Sequence, residues 1–219
     1  MIFNIRSLSV FSAIFIVSFI FLGASKYANY NPIVYKHNFY INNASNVGFH
    51  KSKYDCVINW NESRKLTWAD FKANKKKSNG SAVATTSTAF GYSITDSAGI
   101  ISGSIYVHFF CNDSWWDHKL IQKNNLSYVL SHEQLHFDIC ELFGRKLYKA
   151  ILKLRDSGRL NSNSIKRLQT KLEKQYSSFQ DRYDKETNHS INRTEQHYWS
   201  KIVKKELDTL SEYSEYDSF

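Results

Sequence analysis

The chain has 219 residues, of which 42% are hydrophobic and 22% charged, and this composition excludes a disordered or collagen-like chain. The formal net charge is +9, from 29 lysines and arginines against 20 acidic residues. Apart from Lys75, Lys76 and Lys77, the basic residues are scattered and no nucleic-acid-binding motif accompanies them, so we expect no nucleic-acid partner.

Residues 1–25 have the pattern of a secretory signal peptide. Arg6 precedes an almost wholly apolar run from Leu8 to Ala24, and small residues lead up to Lys26. We predict cleavage near Ser25, export to the periplasm or the extracellular space, and no stable membrane insertion afterwards. Because the run is long for a signal peptide and short for a membrane span, an uncleaved anchor is the alternative.

Residues 26–55 show little periodicity and are predicted to be a leader or edge segment. Two later segments, Ala82–Ile94 and Ile100–Cys111, alternate as strands do, with a turn at 96–99 between them. A strand-like piece also begins at Cys56. This half of the chain therefore predicts a small antiparallel sheet.

Three cysteines are compatible with one disulfide in an exported protein. Cys56 and Cys111 both lie in the β-rich half and could pair, whereas Cys140 lies on a predicted helix and is expected to be a small buried hydrophobe. The sequence alone leaves the pairing open.

The second half of the chain is helical in pattern. A 3.6-residue period runs from Leu126 to Leu154, a second helix is predicted to be capped by Ser162 or Asn163, and a third is predicted from Asn188 to about Leu210. The acidic tail at 211–219 is predicted to be frayed. The expected fold class is α+β, a small antiparallel sheet followed by about three helices, with the main domain at 56–210.

The first helix carries the motif His132-Glu133-Gln134-Leu135-His136. Histidines at positions i and i+4 lie about 40° apart on one helix face, where both can bind one Zn²⁺ ion. The intervening Glu133 can act as the general base for a metal-activated water. Both histidines fall on the apolar face of the helix, which favours a shared metal over two isolated buried imidazoles.

A catalytic zinc site needs a third protein ligand. Glu141 lies on the far side of the helix and is expected to pair with Arg145 instead. His189 is the preferred third ligand, placed at the start of the third helix, with Glu186 as the runner-up. Two further roles are predicted nearby: Tyr183 could polarise the substrate carbonyl or stabilise the oxyanion, and Asp138 or Asp184 could orient a ligand imidazole.

The segment from His132 to Leu147 resembles the HEQxHFDIxExxxRxL block of the bacterial family known as domain of unknown function 922. Further matches to that family are Leu66-Thr-Trp-Ala-Asp-Phe71, Ser114-Trp115, Tyr183-Asp-Lys-Glu-Thr-Asn-His189 and Gln196-x-x-Trp199. Together they span residues 56–207. Leu135 departs from the pattern, where a glycine is usual, but no predicted metal ligand is affected.

The family's members are described as predicted secreted zinc-dependent proteases. The resemblance therefore implies a zincin-like metallopeptidase with Zn²⁺ as cofactor and a peptide or cell-envelope substrate. Two alternatives stay open: a zinc hydrolase acting on a cell-envelope amide, and a non-catalytic envelope-binding protein whose histidines are core residues or hold a structural metal. The oligomeric state is not predicted.

Overall fold

The computed structural model describes residues 56–74, 82–97, 99–216 and 218–219. The predicted signal peptide at 1–25 and the predicted leader at 26–55 lie outside these residues. Among the residues that are described, no helix is both long enough and apolar enough to cross a bilayer.

The described part of the chain folds as α+β, with antiparallel strands followed by three α-helices, and this confirms the predicted fold class. The first sheet has the order β1-β4-β3, and β2 and β5 form a second, two-stranded sheet. The strands are β1 (Val57–Asn59), β2 (Ala84–Thr85), β3 (Thr88–Ser97), β4 (Ile100–Phe110) and β5 (Trp115–Trp116). The helices are α1 (Leu126–Asp156), α2 (Ser162–Thr187) and α3 (Arg193–Thr209).

Helix α1 packs on the sheet and forms the centre of the core. The alternation in β4 buries Ile105, Val107 and Phe109 on one face, as the period-2 pattern predicts. The helix approaches this face closely at Gly144, where an added Cβ would overlap the Val107 side chain. The apolar stripe of α1 is fully buried there, and Leu147 has no exposed surface. The sheet thus fixes one side of the helix that carries the HExxH motif.

Cys56 and Cys111 form a disulfide with a Cα–Cα distance of 5.4 Å, which confirms the pairing that the sequence allowed. The bond joins the start of β1 to the residue after β4. Cys140 is free and buried in the core, as predicted for a small hydrophobe. The disulfide therefore fastens the β half without involving α1.

The helix boundaries differ from the predicted ones at two places. The N-cap of α2 is Asn161, whose side chain accepts a hydrogen bond from the Ser164 N–H, rather than Ser162 or Asn163. Helix α3 begins at Arg193 instead of Asn188. The reason is a run of three residues, 188–190, with φ values of 49°, 50° and 70°, because left-handed backbone cannot continue a right-handed helix.

Two parts of the chain are more buried than the sequence pattern indicates. Glu141 and Arg145 form the expected ion pair, at 2.7 Å, and this pair is buried although it lies opposite the apolar face of the helix. The tail at 211–219, predicted to be frayed, is tied to β4: Gly103 and Phe219 exchange backbone hydrogen bonds of 3.1 and 2.8 Å. The Tyr216 hydroxyl donates to Glu141 at 2.6 Å, so the tail helps to bury that carboxylate.

Candidate metal centre

Three side chains from two helices converge at one point. His132 and His136 lie one turn apart on α1, and Asp184 comes from the last turn of α2. His132 Nε2 is 3.2 Å from His136 Nε2 and 3.2 Å from Asp184 Oδ1, and His136 Nε2 is 3.0 Å from the same oxygen. The three atoms form a nearly equilateral triangle.

The dimensions of this triangle suit a small tetrahedral cation. Zinc bonds of about 2.0–2.1 Å at tetrahedral angles place neighbouring ligand atoms about 3.3 Å apart. The distances of 3.0–3.2 Å between the three atoms come within a few tenths of an ångström of that value. Two imidazole nitrogens and one carboxylate oxygen are also a donor set that zinc accepts, and they leave a fourth position for water or substrate.

Two glutamines orient the imidazole rings so that their Nε2 atoms form two corners of the triangle. The Gln180 Nε2 donates to the His136 carbonyl at 3.0 Å, so the Gln180 Oε1 is the atom that faces His136 Nδ1, at 2.6 Å. Because an amide oxygen only accepts, Nδ1 must carry the proton. Gln196 Oε1 contacts His132 Nδ1 at 2.9 Å in the same way. When each imidazole is neutral, its Nε2 therefore carries the lone pair that a metal ion would use.

The triangle consequently brings together three electron-pair donors that need a cation between them. Burial lowers the pKa of His136, but the Asp184 carboxylate outweighs it and raises that pKa to about 9. Burial likewise raises the pKa of Asp184, yet the charge and hydrogen bonds of the two histidines outweigh it and hold the pKa well below its usual range. A proton or a metal ion can satisfy this arrangement.

Glu133 lies next to the triangle and is only 5% exposed. Its carboxylate accepts a hydrogen bond from the Thr86 hydroxyl at 2.7 Å, directly after strand β2. This contact fixes the carboxylate between α1 and the two-stranded sheet. The Glu133 carboxylate also lies close enough to His136 to contribute to the raised pKa of that imidazole.

Tyr183 occupies a different position from the one its predicted role requires. Its side chain is fully buried, and its ring stacks on the His132 ring with centroids 4.6 Å apart. The hydroxyl donates to Gln196 Oε1 at 2.6 Å and lies 3.2 Å from the His132 carbonyl. Burial raises its pKa well above the ordinary value. The phenol therefore holds His132 and Gln196 in place, and its hydroxyl is engaged by these two residues.

The two residues predicted as third ligand lie outside the triangle. His189 is half exposed in the left-handed turn, with its Nδ1 3.8 Å from Asp184 Oδ1. Glu186 accepts a hydrogen bond from the Trp199 indole at 2.8 Å and lies 3.8 Å from the Arg182 guanidinium. Asp184, which the sequence suggested only as an orienting residue, supplies the third atom of the triangle instead.

The structure explains the spacing of several residues between Tyr183 and Trp199. Gln196 supports His132, and Trp199, one turn further along α3, fixes Glu186 and packs against Phe179 with ring centroids 5.0 Å apart. The Thr187 hydroxyl donates to the Tyr183 carbonyl at 2.7 Å at the end of α2. Gln180 was missed in the sequence because no motif marks it, although its position one turn before Asp184 is a usable signal.

The segment Leu66–Phe71 is hydrogen-bonded to α1, the helix that carries His132 and His136. Gln134 accepts a hydrogen bond from the Leu66 N–H at 2.7 Å and donates to Asp138 at 2.9 Å. Asp138 also accepts from the Trp60 indole at 2.8 Å. Asp138 is therefore a packing contact between α1 and the segment after β1, and it does not orient a ligand histidine.

The family model described as bacterial protein of unknown function (DUF922) matches residues 114–190. The matched segment contains both histidines, Glu133 and Asp184, and it ends in the left-handed turn. Gln196 and Trp199 lie beyond it, although the sequence resemblance extends to them. No curated protein and no solved structure matches the chain.

Proposed function

We propose, from the match of residues 114–190 to the model of bacterial proteins of unknown function (DUF922) and from the geometry of the buried triangle, that this chain is a zinc-dependent hydrolase of peptide bonds. The observation that carries the proposal is the convergence of His132 Nε2, His136 Nε2 and Asp184 Oδ1 at separations of 3.0–3.2 Å. His132, His136 and Asp184 would hold the ion.

The side chains that surround the triangle favour a resident metal ion over a cluster of residues that bind no ion. Gln180 and Gln196 each use an amide oxygen to fix one imidazole, and Tyr183 fixes Gln196 in turn. Such outer contacts set the tautomer and the ring orientation of ligand histidines. A proton shared between His136 and Asp184 satisfies only part of the triangle, whereas one metal ion would use both Nε2 atoms and the carboxylate oxygen at once.

A bound zinc ion would supply a Lewis acid that brings the pKa of water close to neutral and polarises a carbonyl group. Glu133 accepts the proton from the attacking water and returns it to the leaving amine. The Thr86 hydroxyl holds the carboxylate for both transfers. Asp184 balances part of the charge at the site, and Tyr183 acts as a positioning residue.

Export is part of the proposal and is supported by the apolar segment at 8–24 and by the disulfide between Cys56 and Cys111. A peptide or a peptide-containing component of the cell envelope is then the substrate. The binding-protein alternative lacks a specific observation in its favour, because a purely structural site has no use for a buried carboxylate at the position of Glu133.

The test is Glu133→Gln, with Glu212→Gln as the matched control at an exposed site. Peptide hydrolysis is measured on a mixture of internally quenched peptides, and zinc is measured by elemental analysis of the same samples. We expect Glu133→Gln to keep its zinc and lose about 10²–10⁴-fold in rate, the range for a general base. Zinc-loaded wild-type protein that cleaves no peptide, or a Glu133→Gln variant that cleaves as fast as wild type, contradicts the proposal.

A further inference from the structure

A small open pocket lies at the first turns of α1, before the HExxH motif, and has no part in the mechanism above. Its cavity volume is about 240 Å³. The residues that line it are Val83, Leu120, Ile121, Gln122, Asn125 and Val129. Sites that hold a whole small-molecule ligand usually enclose about 300–1,000 Å³, so this pocket suits a part of a ligand, such as one side chain.

Two separate elements tie the pocket to Glu133. Val129 precedes Glu133 by four residues on α1, which places it on the same helix face about 6 Å along the axis. Val83 precedes Thr86 by three residues, and the Thr86 hydroxyl is bonded to the Glu133 carboxylate. A substrate bound for attack near Glu133 therefore has this pocket within reach of its neighbouring side chain.

The lining determines which side chain fits. Four of the six lining residues are aliphatic and none is charged, so a charged group entering the pocket would lose water without gaining a counter-ion. Ile121 and Val129 are each 7% exposed, whereas Leu120 keeps 54% of its surface in solvent at the rim. An apolar side chain that covers Leu120 would remove exposed apolar surface from water, which favours binding.

Strand β2 offers a way to present such a side chain. Within the described part of the chain, β2 pairs with β5 alone, and the register sets Ala84 opposite Trp116. Val83 O accepts from the Asp117 N–H at 2.8 Å, so the backbone groups of the next residue, Ala84, face away from β5. An extended peptide can pair with an edge of this kind, and alternate side chains then enter neighbouring pockets.

We propose that the pocket between β2 and the first turns of α1 binds an apolar side chain of the substrate, next to the bond that is cleaved. The proposal rests on the proposed function for the identity of the substrate as a peptide. It adds a specificity that the metal centre cannot supply: peptides with leucine or a similar side chain at this position are preferred over those with aspartate or lysine.

Binding is tested without turnover by saturation-transfer NMR on the full chain carrying Glu133→Gln. The probes are N-acetyl-leucine methylamide and its aspartate counterpart. Leu120→Asp introduces a charge at the exposed rim, Val129→Thr changes the inner wall at nearly constant volume, and Ile100→Asp is the control at a residue that is 73% exposed on β4. We expect the leucine probe alone to bind, and both pocket variants to weaken it about tenfold.

Equal binding of the leucine probe to all three variants, or equal binding of both probes, overturns the inference. A parallel peptide assay compares leucine with aspartate at each position, and one side-chain contact of this kind discriminates about 10–200-fold. Leucine binding that both pocket variants weaken, in a protein that hydrolyses no peptide, supports the pocket while contradicting the proposed hydrolysis. The pocket and the proposed hydrolysis can therefore be contradicted independently of each other.

Discussion

Helix α1 buries two polar clusters two turns apart, and they differ in how their charges are satisfied. At Glu141, opposite charges meet within the protein: Arg145 donates at 2.7 Å to one carboxylate oxygen, and Tyr216 donates at 2.6 Å to the other. At His132, His136 and Asp184, three electron-pair donors face one another. The comparison shows that burial of polar groups does not by itself mark a site, whereas convergence of like donors around one point does.

The first prediction concerns the cluster of Glu141, Arg145 and Tyr216, in which opposite charges already meet. Arg145→Met leaves the Glu141 carboxylate buried with Tyr216 alone, and burial already raises the pKa of Glu141. Removal of one partner from a buried ion pair costs about 3–5 kcal/mol of the free energy of unfolding. We expect urea denaturation to show a loss of this size. Zinc content should remain that of the wild type, and a large loss of zinc would mean that the two clusters are not independent.

The second prediction concerns the cluster of His132, His136 and Asp184. Asp184→Asn keeps the shape of the side chain but removes the anionic ligand. Loss of a residue that only supports a ligand costs up to about 100-fold in metal affinity, so we expect loss of the ligand itself to lower zinc affinity by at least that factor. The metal-free protein should stay folded, because His136 can lose its proton whereas an arginine cannot. Competition with a chromophoric chelator measures the affinity. Unchanged affinity would remove Asp184 from the ligand set.

The third prediction concerns the residues that orient the rings. Gln196→Ala removes the acceptor for His132 Nδ1, and Tyr183→Phe removes the hydroxyl that contacts Gln196. Outer-shell changes of this kind cost about 10–100-fold in metal affinity. The Tyr183→Phe variant should lose affinity less than Gln196→Ala, and the pH profile of hydrolysis should keep its shape. A rate loss with unchanged zinc affinity would instead return Tyr183 to a catalytic role.

The fourth prediction is a pH dependence of metal binding. The Asp184 carboxylate raises the pKa of His136 to about 9 in the metal-free protein, so below that pH zinc must displace one proton. Zinc affinity should therefore rise about tenfold for each pH unit between pH 7 and pH 9 and level off above. Calorimetry in buffers of different ionisation enthalpy should count about one released proton at pH 7. Binding that is independent of pH in this window would contradict the arrangement.

Local patterns in the sequence predicted the parts of the site that depend on one helix. The period of α1 and the spacing of His132 and His136 follow from 3.6 residues per turn and require no tertiary information. The pairing of Cys56 with Cys111 remained open because separation along the chain does not determine distance. The alternation in β4 was sufficient to predict its buried face.

Tertiary contacts explain what the sequence did not reveal. Asp184 lies 48 residues after His136, and His189 is carried outside the triangle by the left-handed turn at 188–190, which no glycine or proline indicates in the sequence. Glu141 and Arg145 appeared solvent-facing because the helix pattern cannot show that Trp60 and the tail cover that face; the Arg145 guanidinium lies 5.3 Å from the Trp60 ring centroid. The tail itself is acidic in composition but is anchored by its aromatic residues.

The most direct test of the metal centre is anomalous diffraction at the zinc edge from crystals of the zinc-loaded protein. The account predicts one strong peak about 2 Å from His132 Nε2, His136 Nε2 and the Asp184 carboxylate, the distances expected of zinc ligands. A peak held by His132, His136 and His189 without Asp184 would contradict the ligand set. The absence of any peak between the two histidines at saturating zinc would contradict the central claim that this cluster binds a metal.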